Sequence, residues 1–454
     1  MDGQMSRQAA GRLRGRETAR ELGQFICESP TAYHAVAAIR KRLDNAAFIY
    51  LPENTDWSDV VKPGHGYYTV RNNSSVIAWR VGSELDSYHF QIAAAHDDSP
   101  TFKLKDHAEL QDDNGYLRLD VEAYGGTIDY TWFDRPLTLA GRVLVRTGSC
   151  VSSRLVSFDS DSLIIPSLAI HFNRSINEKG FAPDRVTEVC PLVSAGELAP
   201  GSLYERLADV LNVQPDQILA HDLFLVNRQK PSIWGSSSEF ISAGRLDDLM
   251  CVFAALRGFL STRNEHCVTV YACFDNEEVG SGTKQGARST FMSDVLARVN
   301  AALGRREVDL LRAIAGSMLV SCDNVHAVHP AHPELADAAN APRMNGGIVV
   351  KEAANQHYCT DAFSRAVFCD VLDRADVPYQ VFANRSDMAG GSTLGNLLNQ
   401  QVSLHSIDVG CAQLAMHSAY ETAGAYDVDA AARALAAFYA ADIQISGADA
   451  ALLQ

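Results

Sequence analysis

The sequence predicts an α/β protein in which a mainly parallel sheet is interrupted by an inserted β-rich domain. Three observations carry this expectation. From about residue 236 onward, apolar β-branched runs alternate with longer stretches of helical spacing. Between 100 and 235 the chain instead shows short alternating strands punctuated by turn residues. Finally, 454 residues that are 47% hydrophobic exceed what one ordinary core organises, so two domains are expected. The division is 1–99 with 236–454 as one domain, and 100–235 as the insertion.

In chain order, the first fifteen or so residues are expected to form a disordered extension. Helical spacing then runs from Arg16 to Arg40, broken by "ESPTAY" at Ser29-Pro30. The runs "YYTV", "SVIAWRV" and "YHFQIAAAH" read as strands; the last stops at His96 and breaks at Asp97-Asp98-Ser99-Pro100. Inside the insertion, Asn114-Gly115 lies between two alternating runs and marks a hairpin. "GRVLVRT" and "RLVSFDSDSLIIPSLAIHF" continue the β pattern, and "LYERLADVLNV" is its one helix. After "SIWGSSSEFISAG" come the helix "RLDDLMCVFAALRGFLSTR", the strand "CVTVYACF", the helix "FMSDVLARVNAAL" and the strand "GSMLVSC". The helix "TDAFSRAVFCDVLDRA", the strands "YQVFAN" and "VSLHSIDVG", and the helix "DVDAAARALAAFYAADIQI" close the chain. There is no internal repeat or low-complexity tract.

Composition excludes several function classes. The net charge of -16 and the absence of a Lys/Arg cluster argue against nucleic-acid binding. No run approaches the roughly 20 apolar residues of a membrane span. The N-terminus has no apolar signal segment, and Asp2, Glu17 and Glu21 oppose an organelle transit peptide. Ten scattered cysteines without a C-x-x-C pair suit a reducing compartment, so a cytoplasmic location is expected.

The polar residues that follow the strands point to chemistry. Ligands of open α/β sheets bind beyond the carboxyl ends of strands. "QIAAAH" ends in His96, "VTVYACF" runs into Glu277 and Glu278, and "GSMLVSC" is followed by Asp323. Asp247 opens a helix and His417 follows the last strand. Histidine and carboxylate without cysteine suit zinc, manganese or cobalt in a hydrolytic site. Two ions about 3.5–4 Å apart would clamp an attacking water and a substrate oxygen. Asp247, Glu278 and Asp323 with a bridging hydroxide balance two divalent charges, which leaves Glu277 free as a general base. Each residue alone also has an ordinary reading: "DNEE" as a solvated turn, His96 as a core histidine, Asp247 as an N-cap, Asp323 as a loop carboxylate, His417 packed on a helix. Those readings must all hold together for the site to vanish.

The ordered words "ESPTAYHAV", "AAAHDDSP", "TWFDRPLTLAGRV", "IPSLAIHFNR", "SAGRLDDL", "FDNEEVGSG", "DNVHAVHP", "GGSTLG" and "QLAMHS" resemble the aspartyl aminopeptidase family of dizinc metallopeptidases, from about Phe25 to the C-terminal helix. The resemblance implies two Zn2+ per subunit, with Mn2+ or Co2+ as alternatives. It places His96 and Asp323 on one ion, Glu278 and His417 on the other, and Asp247 between them. Glu277 would be the base, Asp98 the partner that orients His96, and the bond after Asp247 cis. The family implies peptide substrates with an N-terminal Asp, perhaps Glu, and Lys351 in the pocket for that side chain. An exposed lysine at a strand end is the ordinary alternative. The family also implies that the insertion is a dimerisation domain, that the homo-oligomer is a tetrahedral dodecamer built from dimers, and that His171 reaches a neighbouring subunit's site to stabilise the oxyanion.

The sequence departs from the family pattern at Asp248 (usually Asn), Asn324 (usually Met), Gly390 (usually Cys) and Tyr420 (usually Arg). His326 and His329 are assigned to support rather than ligation. Two other functions stand beside the acidic aminopeptidase. One is a metallohydrolase of different specificity, including an acylase; the other is a non-catalytic shell or cargo protein.

Overall fold

The computed structural model describes residues 2–453. Its centre is a nine-stranded sheet in the order 49–50, 66–71, 75–81, 268–274, 90–96, 318–322, 405–410, 348–352, 379–383. The four strands Val268–Phe274, Phe90–His96, Met318–Cys322 and His405–Gly410 are mutually parallel. The flanks mix directions; Ser75–Val81 and Ile348–Glu352 each run antiparallel to the central block. The expected mainly parallel α/β fold is therefore what forms.

Period-two alternation divides the sheet's side chains between two cores. Ile77, Trp79, Ile92, Val270 and Leu319 face one side, under the helix Phe291–Ala302. Ala78, Ala93, Tyr271, Val320 and Ile407 face the other, under the helices Leu246–Ser261 and Asp427–Ala440. Strands covered on both faces read as unbroken apolar runs, which is why they were visible in the sequence.

A separate six-stranded antiparallel sheet is built from residues 101–227, with its own core around Phe102, Leu139, Leu207 and Leu223. The chain enters it directly after Pro100 and leaves it before a third, five-stranded sheet. That third sheet joins Ser232–Trp234, Phe240–Ala243, Glu421–Gly424, Ala412–Leu414 and Val325–His326. Its short pieces are far apart in sequence and carried no usable periodicity. No helix is long and apolar enough to cross a membrane among the described residues.

The N-terminus differs from expectation. Instead of a disordered first fifteen residues, a helix runs Asp2–Glu28. Gly15, Thr18, Ala19, Leu22 and Ile26 form a buried stripe at helical spacing. Arg14 pairs with Asp429 at 3.0 Å, and Gly15 lies so close to Tyr426 that a side chain there would press on it. Tertiary contact holds the helix from Arg14 onward.

The two helices over the site side meet equally closely. A side chain at Gly258 would approach the backbone of Leu435 and Ala436 within about 3 Å. Gly258→Leu should therefore cost about 1–3 kcal/mol through overpacking. A lowered midpoint in urea unfolding, read by tryptophan fluorescence, checks this; an unchanged midpoint would show that the helices separate freely.

Candidate metal centre

Strand register brings the site together. Phe274 pairs with His96 and Ser321 with Ala94, so Asp323, two residues further on, is level with His96. Three neighbouring parallel strands thus end in one row. After Phe274 the chain turns at Asn276, which holds φ +66°, and Glu277–Val279 forms a single 3-10 turn. Such positive φ in a non-glycine residue is a strained backbone that clusters at functional sites. His417, φ +68°, sits in the loop between two strands of the small sheet. Asp247 stands at the start of the Leu246–Ser261 helix, and the Asp247–Asp248 bond is cis, as the resemblance implied.

Three overlapping groups of donor atoms result: two triads share Asp247, and a third group joins His96, Glu277 and Glu278. Donor atoms of His96, Asp247 and Asp323 lie within 4.8 Å of one another, as do those of Asp247, Glu278 and His417. Asp247 faces both histidines: Oδ1 is 3.5 Å from His96 Nε2 and Oδ2 is 3.6 Å from His417 Nε2. His417 Nε2 is also 3.4 Å from Glu278. The side chains of His96, Asp247 and Glu278 are 5% exposed or less. Oδ1 of Asp247 and Oε1 of Glu278 are buried without any hydrogen-bond donor. Buried, unpartnered carboxylate oxygens facing imidazole nitrogens are a donor set that fits divalent cations.

The electrostatics agree. Burial first, then Asp323, Asp98 and Asp247, push Glu277 up to about 8 against the pull of His96. Burial, with Asp247 in support and Lys351 opposing, takes Asp323 up to about 6. Glu278 is raised by burial and by Asp247. Burial opposes charge on His96, yet the facing carboxylates of Asp247 and Asp98 lift its pKa well above the ordinary value.

An outer layer of hydrogen bonds aims these groups. His96 Nδ1 meets Asp98 through its carbonyl at 3.1 Å and its carboxylate at 3.3 Å. The other contacts of Asp98 answer why two glutamates point into one space. Its Oδ1 accepts the Glu277 backbone N–H at 3.0 Å and its Oδ2 accepts that of Glu278 at 3.1 Å. One carboxylate therefore fixes the imidazole and the turn that carries both acids. Tyr124, from the six-stranded sheet, donates to Asp98 Oδ2 at 2.8 Å and is held in turn by Asn276 Nδ2.

Glu421 was not singled out from the sequence, and it plays the matching part on the other side. Its carboxylate accepts the backbone N–H of Asp247 at 3.1 Å and of His417 at 2.8 Å, and a Gln413 amide hydrogen at 3.3 Å. Its only sequence signal was a carboxylate four residues beyond His417. Asn324 is similarly hidden: its amide donates to Leu246 and Gln413 and accepts from Cys411.

Lys351 is not the ordinary exposed lysine. It is 1% exposed and donates to the carbonyls of Asp323 at 2.8 Å and Asn324 at 3.4 Å. Its ammonium is 3.9 Å from the Asp323 carboxylate and 5.1 Å from the Tyr358 ring centre. Burial works against its charge, but Asp323 and Tyr358 hold its pKa above the ordinary range. His326 and His329 join neither triad and line a neighbouring cavity of about 370 Å³ with Gln413 and Arg385. His171 lies apart in character: it is exposed, flanked by Ile170 and Phe172, and belongs to neither triad.

Comparison with known proteins identifies the family. Residues 25–439 match the family model described as aminopeptidase I zinc metalloprotease (M18). The chain is 41% identical over 415 residues to a probable M18 family aminopeptidase 2 of Clostridium novyi, covering 90% of this chain and 95% of that one. It is 39% identical over 430 residues to a protein of the same description from Pseudomonas paraeruginosa, covering 92% and 97%. Among solved structures, the Ape4 and Nbr1 complex superposes with TM-score 0.90 at 35% identity, covering 94% of this chain and 86% of that one. The prApe1 crystal structure gives 0.88 at 29% identity, covering 94% of each. The chain belongs to the M18 family of zinc metalloprotease aminopeptidases.

Proposed function

We propose that this aminopeptidase removes an N-terminal acidic residue, Asp or Glu, from peptides at a two-zinc centre. His96 and Asp323 would hold one ion, Glu278 and His417 the other, with Asp247 shared. The carrying observation is that Asp247 faces both histidines while its own Oδ1 and Oε1 of Glu278 lack donors. Bound divalent zinc polarises an amide carbonyl and makes water more acidic. Glu277 supplies the proton transfer: its carboxylate takes a proton from the attacking water as the C–O bond forms, and delivers it to the peptide nitrogen as the C–N bond breaks. Asp98 keeps Glu277 aimed through its backbone N–H and keeps His96 oriented through Nδ1.

Acidic specificity rests on Lys351. Two of its ammonium hydrogens meet carbonyls, which leaves one for a carboxylate beside Asp323 and Tyr358. In a chain of charge -16, an anionic side chain needs such a local cation. The near-complete burial of Lys351 also favours a second reading, in which it only holds the Asp323 loop and the pocket takes a neutral residue. For assembly, we infer a dodecamer in which the 168–172 segment docks on a partner subunit and presents His171 there. Leu168, Ile170 and Phe172 are 53%, 48% and 81% exposed, and one similar solved protein is described as a dodecamer.

Three outcomes are expected. Glu277→Gln should keep its zinc by elemental analysis and lose about 10²–10⁴-fold in turnover; full turnover would remove Glu277 from the proton path. Lys351→Met should cut kcat/KM on an Asp-derived amide by about tenfold or more, the worth of one charge-assisted hydrogen bond, and spare a Leu-derived amide. Equal losses on both would favour the second reading. The third concerns stability. Glu277 and Asp323 have folded pKa values raised to about 8 and about 6, so the metal-free fold binds protons that the unfolded chain releases. Their contribution is present below about pH 4 and is lost as pH rises towards 8. Chelated protein should show a falling Tm across that window, and added zinc should restore it at the upper end. A flat Tm in chelator would contradict the carboxylate crowding.

A further inference from the structure

The chain between the strand Tyr116–Tyr124 and the turn Asp129–Trp132 forms a strap from the six-stranded sheet across the metal centre. Both of its ends are anchored. Tyr124 pairs with Thr101 in the sheet, and Trp132 is buried at right angles to Phe102, ring centres 5.6 Å apart. The first end touches the His96 side. Tyr124 donates to Asp98 Oδ2, the oxygen that also accepts the Glu278 backbone N–H, while Asp98 Oδ1 faces His96 Nδ1. The second end touches the His417 side. The Ile128 N–H donates to the His417 carbonyl at 3.1 Å, and the Gly126 carbonyl lies 2.9 Å from His417 Nδ1. A carbonyl only accepts, so Nδ1 carries the proton, and the lone pair of Nε2 is left facing Asp247 and Glu278. The Thr131 hydroxyl donates to the Ile128 carbonyl at 2.7 Å and accepts the Ala419 N–H at 2.9 Å, which locks strap to loop. Between the two ends the strap lies close on the ligands: a Cβ on Gly125, which holds φ +73°, would sit 3.1 Å from Glu278 Cβ.

We propose that Tyr124 and Thr131 are two independent positioning residues for the metal centre. The Tyr124 phenol acts through Asp98 on His96 and on the Glu277–Glu278 turn. The Thr131 hydroxyl acts through the 417–419 loop on the tautomer and aim of His417. Neither hydroxyl belongs to a donor group of the centre. A ligand already held in place loses less freedom when an ion binds, so affinity rises without a further bond to the metal. The two routes are separate: one ends on a side-chain carboxylate beside His96, the other on backbone groups around His417. The inserted domain thereby sets how tightly its own chain holds metal. This rests on the reading of the site as a metal centre, and neither on acidic specificity nor on Glu277 as base.

The test is zinc titration of the metal-free full chain in competition with a chromogenic chelator, a readout that needs no turnover. Tyr124→Phe should weaken zinc binding by about 10–100-fold, and Thr131→Val by a similar factor, the range for residues that orient metal ligands. Thr131→Ser keeps the hydroxyl and should restore wild-type affinity; Thr131→Ala should not. Tyr124→Phe should add nothing in an Asp98→Ala background, because it acts through that carboxylate, whereas the Tyr124→Phe and Thr131→Val losses should multiply. The Tm of the metal-free chains separates positioning from ordinary support: variants that unfold earlier without zinc yet bind zinc as tightly as wild type would overturn the proposal. So would equal losses in Thr131→Ser and Thr131→Val, or a full further loss from Tyr124→Phe once Asp98 is gone. A wild-type chain that binds no zinc would fail the metal-centre reading and this proposal with it; tight zinc in wild type and in every variant would overturn the positioning claim alone.

Discussion

The site is governed by a repulsion. Asp247, Glu277, Glu278 and Asp323 converge where water is largely excluded, and the interaction of like charges strengthens as the local dielectric falls. The protein's own cations do not offset it. Lys351 approaches Asp323 only to 3.9 Å, and in the proposed centre the two histidines would be neutral ligands. Upward-shifted carboxyls at Glu277, Glu278 and Asp323 are the consequence in the protein alone. In the proposed centre, divalent cations would relieve that repulsion at their ligands, and Glu277 would serve as the base.

Such crowding persists only if the backbone is held against it, and two buried carboxylates do this from opposite sides. Asp98 ties the Glu277–Glu278 turn to the His96 strand, and Glu421 ties the Asp247 helix start to the His417 loop. The three sheets meet here. The large sheet supplies His96 and Asp323, the small sheet frames His417, and the six-stranded sheet sends Tyr124 to Asp98. The segment 101–227 therefore reaches the site of its own chain twice, through the Tyr124 phenol on Asp98 and through the Gly126 carbonyl, 2.9 Å from His417 Nδ1. Gly410 contributes by absence: a side chain there would run into the Asp323 carbonyl that Lys351 grips.

What the sequence made legible follows from this division. Strands buried on both faces are long apolar runs, so His96, Glu277, Glu278 and Asp323 stood out among the polar residues that end or closely follow them. Asp247 and His417 were legible once a shared rim was assumed. Glu421, Asn324 and Tyr124 were not, because a residue that acts by accepting or donating one hydrogen bond leaves no periodic trace. The ordered N-terminal helix was missed for a related reason. Its buried stripe is built from Gly15, Thr18 and Ala19 as much as from Leu22 and Ile26, and its partner Asp429 lies at the other end of the chain. The small sheet was missed because its strands are two to four residues long.

The departures from the family pattern can now be judged by position. Tyr420 turns away from the ligands and donates to the Lys230 carbonyl at 2.8 Å. Gly390 lines the neighbouring cavity, where a side chain would collide with Asn384. Asn324 does structural work as a buried hydrogen-bond hub. Asp248 is the decisive case, because an added negative charge between Asp247 and Asp323 would change what the site can hold. It is 0% exposed, accepts the His96 backbone N–H at 3.4 Å on one oxygen, and has no donor on the other. Burial, with Asp323 and Asp247 against the opposing pull of His96, drives its pKa well above the carboxylate range. A neutral carboxyl group offers one carbonyl oxygen and one donor, much as the amide it replaces does. In the protein alone the aspartate is therefore pushed towards its uncharged form, an isostere of the amide.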